Sequence, residues 1–326
     1  MLTDGVKRIS LGFFPTPLHA LPRLTEKLGG PRLFIKRDDQ TGLATGGNKT
    51  RKLEFLVADA LERKADTLIT AGAPQSNHAR QTAAAAAKAG MKCALVLRGQ
   101  PQSVHQGNLL LDEMLGAEIR WATREAVIET MYETANELSV KGYAPYIIPY
   151  GGSNPVGATG YVAAMEELMT QAQQMNIHFD RIVFASSSSG TQAGLVVGAK
   201  ALGYSGQVLG ISVDETRESL SAKVATLANE TAAYLKLNLQ FKPGEIAVNA
   251  DDLGAGYGIM GEPEREAIRL AAETEGLLLD PVYTGRAFSG LIDLIRKGAF
   301  RRDETVLFWH TGGTPALFAY ADHLTT

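Results

Sequence analysis

The chain has 326 residues, 45% of them hydrophobic and 21% charged, with a formal net charge of -3. That balance excludes a disordered or collagen-like chain, and it gives no electrostatic footing for nucleic acid or an anionic membrane surface, both of which favour clustered Lys and Arg. A small-molecule partner is expected instead, and a length beyond the roughly 250–300 residues at which single cores stop growing suggests two domains.

Met1 to Phe14 lacks a charged start followed by a long apolar block and a cleavage site, and no later stretch reaches about 18 apolar residues. The only cysteine, Cys93, lies in the apolar run Lys92 to Leu97, so neither a disulfide framework nor a Cys-based metal site is expected. Together these features point to a cytoplasmic protein.

Short apolar runs bounded by Gly, Pro or polar turns predict strands at Leu33–Lys36, Leu68–Ala71, Ala94–Leu97, Glu118–Trp121, Tyr146–Ile148, Ile182–Ala185, Val208–Val213 and Val306–Trp309. Helical patterns lie between them, as in the single apolar stripe of Leu53, Leu56, Val57, Ala60 and Leu61, and the alanine run Ala83 to Ala87 reads as a packed helix interior. Alternating strand and helix imply an α/β fold with ligands at the carboxyl ends of strands. Gly151 to Gly160 is the first candidate for a crossing between lobes, and Ala44 to Asn48 the second.

Five segments carry chemical promise. Thr45 to Lys52 places a glycine pair before Lys49 at a helix start, where an amine can meet an aldehyde or an anion; a glycine turn with a surface lysine reads the same way. Ala71 to His78 offers Ser76, Asn77 and backbone N–H groups to a carboxylate, or simply caps a helix, and His78 alone suggests a structural histidine. Ser186 to Gly194 follows a strand and enters an apolar helix; its hydroxyls and helix dipole suit a phosphate without a nucleotide, since no Walker or G-x-G-x-x-G pattern is present, although a polar turn would look alike. Leu279 to Gly285 and Trp309 to Gly313 set hydroxyls beside glycines, where a flat heteroaromatic ring could lie, and Gly254 to Gly258 is a loop with one phenol that suits a lid or a surface turn. The six histidines are scattered without H-E-x-x-H, and no G-x-S-x-G elbow follows a strand, so metal and serine hydrolysis are poorly supported.

In this order, Pro15-Thr16-Pro17-Leu18, Ile35 to Asp39, Gly46 to Glu54, Gln75 to His78, Gly151-Gly152-Ser153, Asp280 to Tyr283 and His310 to Gly313 resemble the fold-type II pyridoxal phosphate enzymes related to the tryptophan synthase β chain. Within that group the resemblance is to the D-cysteine desulfhydrase and 1-aminocyclopropane-1-carboxylate deaminase family. It implies pyridoxal 5′-phosphate as cofactor, a homodimer, and two lobes, each a mostly parallel sheet flanked by helices, and leaves any need for a monovalent cation open. The larger lobe would comprise residues 1–48 and 161–326, and the smaller 49–160.

By the same resemblance, Lys49 would carry the cofactor and act as base at the α-carbon. Ser76, Asn77 and His78 would face the substrate, with Asn77 also meeting the cofactor phenolate oxygen. Ser187, Ser188, Ser189, Gly190 and Thr191 would cradle the phosphate, Thr284 would contact the pyridine nitrogen with Thr311 nearby, and Tyr257 and Tyr283 would stand beside the substrate. The cyclopropane deaminases look to carry an acidic residue where this chain has Thr284. A hydroxyl favours a neutral ring and a shorter-lived carbanion, which suits β-elimination. The implied activity is a lyase taking D-cysteine to pyruvate, hydrogen sulfide and ammonia. Alternatives are L-cysteate sulfo-lyase or 1-aminocyclopropane-1-carboxylate deaminase-like activity and, in another class, a cofactor-binding or regulatory protein without turnover.

Overall fold

A computed structural model of the chain describes residues 1–324. It holds ten strands: β1 (Leu18–Ala20), β2 (Arg32–Arg37), β3 (Thr67–Gly72), β4 (Lys92–Arg98), β5 (Glu118–Ala122), β6 (Pro145–Ile147), β7 (Arg181–Ser186), β8 (Gln207–Ser212), β9 (Ala247–Asn249) and β10 (Thr305–His310). They form a six-stranded sheet in the order β1-β2-β10-β7-β8-β9 and a four-stranded sheet in the order β5-β4-β3-β6. Only β1 runs antiparallel to its neighbour; the other pairs are parallel. The α/β architecture with flanked, mostly parallel sheets is the one expected from the strand spacing.

Both faces of each sheet are covered, which explains why the strands read as continuous apolar runs rather than alternating ones. In the larger sheet Ile35 and Phe308 are register partners that pack with Phe288 and Leu291 on one face, while Phe34 and Leu307, the next pair, pack with Tyr161, Phe184 and Leu195 on the other. In the smaller sheet Leu68 and Leu95 face the helices Lys49–Glu62 and Asn77–Lys88, and Ile69, Ala94 and Val96 face the helix Val127–Val140. The alanine run lies within Asn77–Lys88, and its small side chains keep that helix close to the sheet. The helix Pro155–Gln174 begins in the stretch expected as a crossing between lobes, directly after the tight turn Tyr150–Gly152. No helix among the described residues is long and apolar enough to cross a membrane.

A buried ionic cluster fastens the helix that starts at Lys49. Arg51 makes a bidentate contact with Asp38 (2.8 Å to each oxygen) and reaches Glu167 at 2.9 Å. Tyr161 donates to Asp38 at 2.6 Å, and Lys36 pairs with Glu167. Two cations and two anions balance, so each charge keeps a partner out of water. The cluster ties β2, the Lys49–Glu62 helix and the Pro155–Gln174 helix together two residues from Lys49. Replacing Arg51 with Met strips Asp38 of its partner, and urea unfolding is expected to show a loss of about 3–5 kcal/mol.

Candidate active site

The carboxyl ends of β3, β6, β7 and β10 all run into loops that line one cavity between the two sheets. Its walls include Asn48, Lys49, Ser76, Asn77, His78, Tyr150, Ser187, Ser188, Ser189, Thr191, Tyr283 and Thr311, around an empty volume of ≈ 590 Å³. Two glycine turns make the approach possible. Gly46 holds φ 70°, and a Cβ there would collide with the Asp39 carbonyl. At Gly312 (φ 91°) a Cβ would lie 2.7 Å from the Gly47 Cα. The loop before Lys49 and the exit of β10 are thus pressed backbone to backbone, with the Asn48 N–H bonded to the Thr311 carbonyl at 2.9 Å.

Lys49 opens its helix and faces the cavity. Enclosure pulls its amine from the ordinary 10.5 down to about 8, opposed by a hydrogen bond with Lys52. Lys52 is buried one turn further along, where residues three apart share a face. Burial first, and then the neighbouring Lys49, hold the Lys52 amine well below its usual range. It donates to the Gly151 carbonyl at 3.0 Å and lies 2.8 Å from where a Cβ on Gly190 would be. Neither amine has a carboxylate partner among the described residues.

Facing them is the turn after β7. Ser189 is held at φ 65°, a left-handed conformation that a non-glycine residue adopts only under local constraint, and the helix Gly190–Ala201 starts there. Asn48 Nδ2 donates to Thr191 Oγ1 (3.2 Å), Ser153 donates to Ser188 (3.0 Å), and the Gly190 N–H bonds the Ser188 carbonyl. Hydroxyls, a helix N-terminus and two uncompensated amines converge on one end of the cavity, a receptor for an anion.

Ser76 serves both readings made from its sequence. Its oxygen accepts from the Ala79 N–H at 3.1 Å as the cap of Asn77–Lys88, leaving the hydroxyl hydrogen free at the cavity wall. His78 Nε2 pairs with Thr70 Oγ1 at 2.9 Å. Because that hydroxyl donates to the Ile148 carbonyl, His78 is the donor, and its Nδ1 is left without a partner. Burial and the two lysines keep this imidazole neutral.

Tyr283 lines the cavity and Tyr257 stands behind it, their hydroxyls 2.6 Å apart. Burial pushes both phenols well above 10, so they remain protonated donors at neutral pH. The 254–258 loop is clamped, not free. The buried Arg286, paired with Glu264 at 2.8 Å, donates to the carbonyls of Gly256 and Ile259 on either side of Tyr257 (3.0 and 2.7 Å). From the other sheet's side, the Arg98 guanidinium lies 4.9 Å from the Tyr257 ring centre. Thr284 is buried off the cavity wall with its hydroxyl donated to Asp280 at 2.7 Å, whereas Thr311 is on the wall. Gly190 lies beside the cavity as the first residue of its helix.

Sequence reasoning missed Asn48, Lys52 and Tyr150. Lys52 was within reach of the helical i, i+3 rule. Tyr150, a third phenol that interacts with the hydroxyls of Tyr257 and Tyr283, carries no motif of its own.

The sequence profile described as "Pyridoxal-phosphate dependent enzyme" matches residues 9–312. The chain is 45% identical over 325 residues to a D-cysteine desulfhydrase of Klebsiella pneumoniae (strain 342), covering 97% of each. It is 43% identical over 323 residues to one of Salmonella typhi, again covering 97% of each. Among solved structures, an ACC deaminase homologue superposes with a TM-score of 0.91 at 41% identity, covering 99% of this chain and 97% of that one. The fold alone is shared with a fungal L-serine ammonia-lyase from Rhizomucor miehei (TM-score 0.70, 18% identity, covering 97% of this chain and 98% of that one). With its profile matched from residue 9 to residue 312 and its relatives alike over nearly their whole length, the chain belongs to the pyridoxal-phosphate dependent enzymes and has their fold-type II architecture.

Proposed function

We propose that this enzyme is a lyase that eliminates the β-substituent of a small amino acid, D-cysteine above all, yielding pyruvate, hydrogen sulfide and ammonia. The observation that carries the reading is the pair of buried amines, Lys49 and Lys52, without a counter-charge among the described residues at the anion-receptive turn. The residues fit pyridoxal phosphate on this ground. Lys49 would take the aldehyde; Lys52, Ser187, Ser188, Ser189, Gly190 and Thr191 would hold the phosphate, Asn77 the phenolate oxygen, and Thr311 the ring-nitrogen end, with Thr284 held behind it by Asp280. When bound, the cofactor supplies an electrophilic aldehyde and a ring that withdraws electrons from the substrate α-carbon.

The chain's own residues then divide the remaining work. Ser76, with its free hydroxyl hydrogen, holds the substrate carboxylate, and His78, neutral and anchored to Thr70, forms the wall beside it. Lys49, with a neutral form accessible near pH 8, removes the α-proton. Tyr283, backed by Tyr257, gives a proton to the departing sulfur. No carboxylate lines the cavity among the described residues, which favours a neutral ring and a substrate with a good leaving group over ring opening. The larger lobe is assigned residues 1–48 and 161–326 and the smaller 49–160. We also infer a homodimer, supported by the exposed Phe13 beside a cleft lined by Phe14, Pro15, Met169 and Leu202. A cytoplasmic setting is supported by the single buried, unpaired Cys93.

Incubation of the purified enzyme with D-cysteine is expected to release sulfide and pyruvate in equal amounts; absence of both removes the reading. L-cysteate and 1-aminocyclopropane-1-carboxylate, assayed beside it, are expected to turn over far more slowly. Attachment of added pyridoxal phosphate to the stripped protein should accelerate about tenfold per pH unit up to about pH 8 and level off above it, because only the unprotonated Lys49 amine attacks. Stopped-flow absorbance checks this, and a rate independent of pH between 6 and 8 would speak against Lys49 as the nucleophile. The Tyr283→Phe variant is expected to lose about 10²-fold or more in kcat while its cofactor absorbance stays unchanged.

A further inference from the structure

Behind the cavity wall a chain of side chains has a direction that chemistry alone decides. Arg80 is fully buried, and its Nε meets Asn108 Oδ1 at 3.0 Å. A guanidinium can only donate, so the Asn108 carbonyl must face it. The opposite end of the same amide, Nδ2, meets the Gln75 backbone carbonyl at 2.9 Å, and a carbonyl can only accept. The orientation of Asn108 is therefore fixed from both sides. Its remaining Nδ2 hydrogen points at Asn77 Oδ1, 2.9 Å away. Asn77 must consequently offer its oxygen backwards and its NH2 group forwards, and Asn77 is on the cavity wall.

We infer that Asn108, held by Arg80, is a positioning residue that fixes the polarity of the Asn77 amide so that the cavity meets a donor there. The inference rests on the reading above in which Asn77 serves the cofactor phenolate oxygen. An acceptor at that place would repel an oxygen anion where a donor attracts it, so the direction of one amide decides whether the wall binds or rejects the cofactor. Asn108 is fully buried, and Gln75 fastens its helix twice over, accepting from the Asn108 N–H at 2.8 Å and donating to the Gln106 carbonyl at 3.0 Å. The same Arg80 donates to the carbonyls of Ala44 and Gly46, just before Lys49. One buried guanidinium thus sets both the loop that presents the amine and the amide that faces the cofactor.

The test is Asn108→Asp. The new side chain keeps the shape and the Arg80 contact but can only accept, which turns the Asn77 amide about. The cofactor dissociation constant of the stripped protein, measured by equilibrium titration, should rise about tenfold or more, and the visible band of the loaded protein should move. Asn108→Ala, which adds no charge and also guards against a misfolded Asp variant, should weaken binding about threefold. Both effects are to be measured again in an Asn77→Ala background, where they should vanish, because a merely structural or purely charge-based effect would persist there. An Asn108→Asp protein with unchanged affinity and band overturns the inference, as does an effect that survives in the Asn77→Ala background. If Asn77→Ala by itself changes neither quantity, the contact between Asn77 and the cofactor fails first, a result distinguishable from failure of the Asn108 relay.

Discussion

Two lysine amines, three residues apart on one helix, are buried side by side with no carboxylate among the described residues to neutralise them. A charge taken out of water costs several kcal/mol unless it is paired, and two like charges in contact cost more. The fold can sustain this arrangement in two ways: an amine sheds its proton, as the depressed Lys49 does near pH 8, or an anion arrives to share the site. Both suit a phosphorylated aldehyde, since an unprotonated amine can attack the aldehyde and a phosphate relieves whichever amine keeps its proton. Binding should accordingly stabilise the folded chain as well as equip it, by ordinary linkage.

Much of the surrounding structure reads as support for that pair. The Arg51, Asp38, Glu167 and Lys36 cluster locks the helix carrying both amines against the larger sheet. The glycine turns at 46 and 312 let two loops meet without side chains between them. Arg286 immobilises the backbone on either side of Tyr257, so the phenol pair is set by a buried ion pair rather than by a loose loop. Rigid positioning of this kind is what acid-base chemistry needs, because small misplacements of a reacting group are costly in rate.

The sequence made the fold readable where strands are central and buried on both faces. Eight of the ten strands appear as apolar runs, and those left out, β1 and β9, are three-residue edge strands too short to show a period. At the site, the residues carried by motifs line the cavity together: Lys49, Ser76, Asn77, His78, Ser187, Ser188, Ser189, Thr191, Tyr283 and Thr311. Thr284 shows how tertiary context intervenes, since a buried Asp280 four residues earlier takes its hydroxyl hydrogen. Tyr150 and the Arg80 to Asn108 to Asn77 relay were not legible, because each depends on bringing together segments more than 25 residues apart through contacts that no local pattern announces.

Which amine holds the cofactor decides the chemistry of the site, since Lys49 and Lys52 are buried side by side. Borohydride reduction of the loaded enzyme followed by proteolysis and mass spectrometry of the peptides answers this. A pyridoxyl mass on Lys49, with Lys52 unmodified, is the result the structure predicts. The same mass on Lys52, or on a lysine outside the cavity, would contradict it.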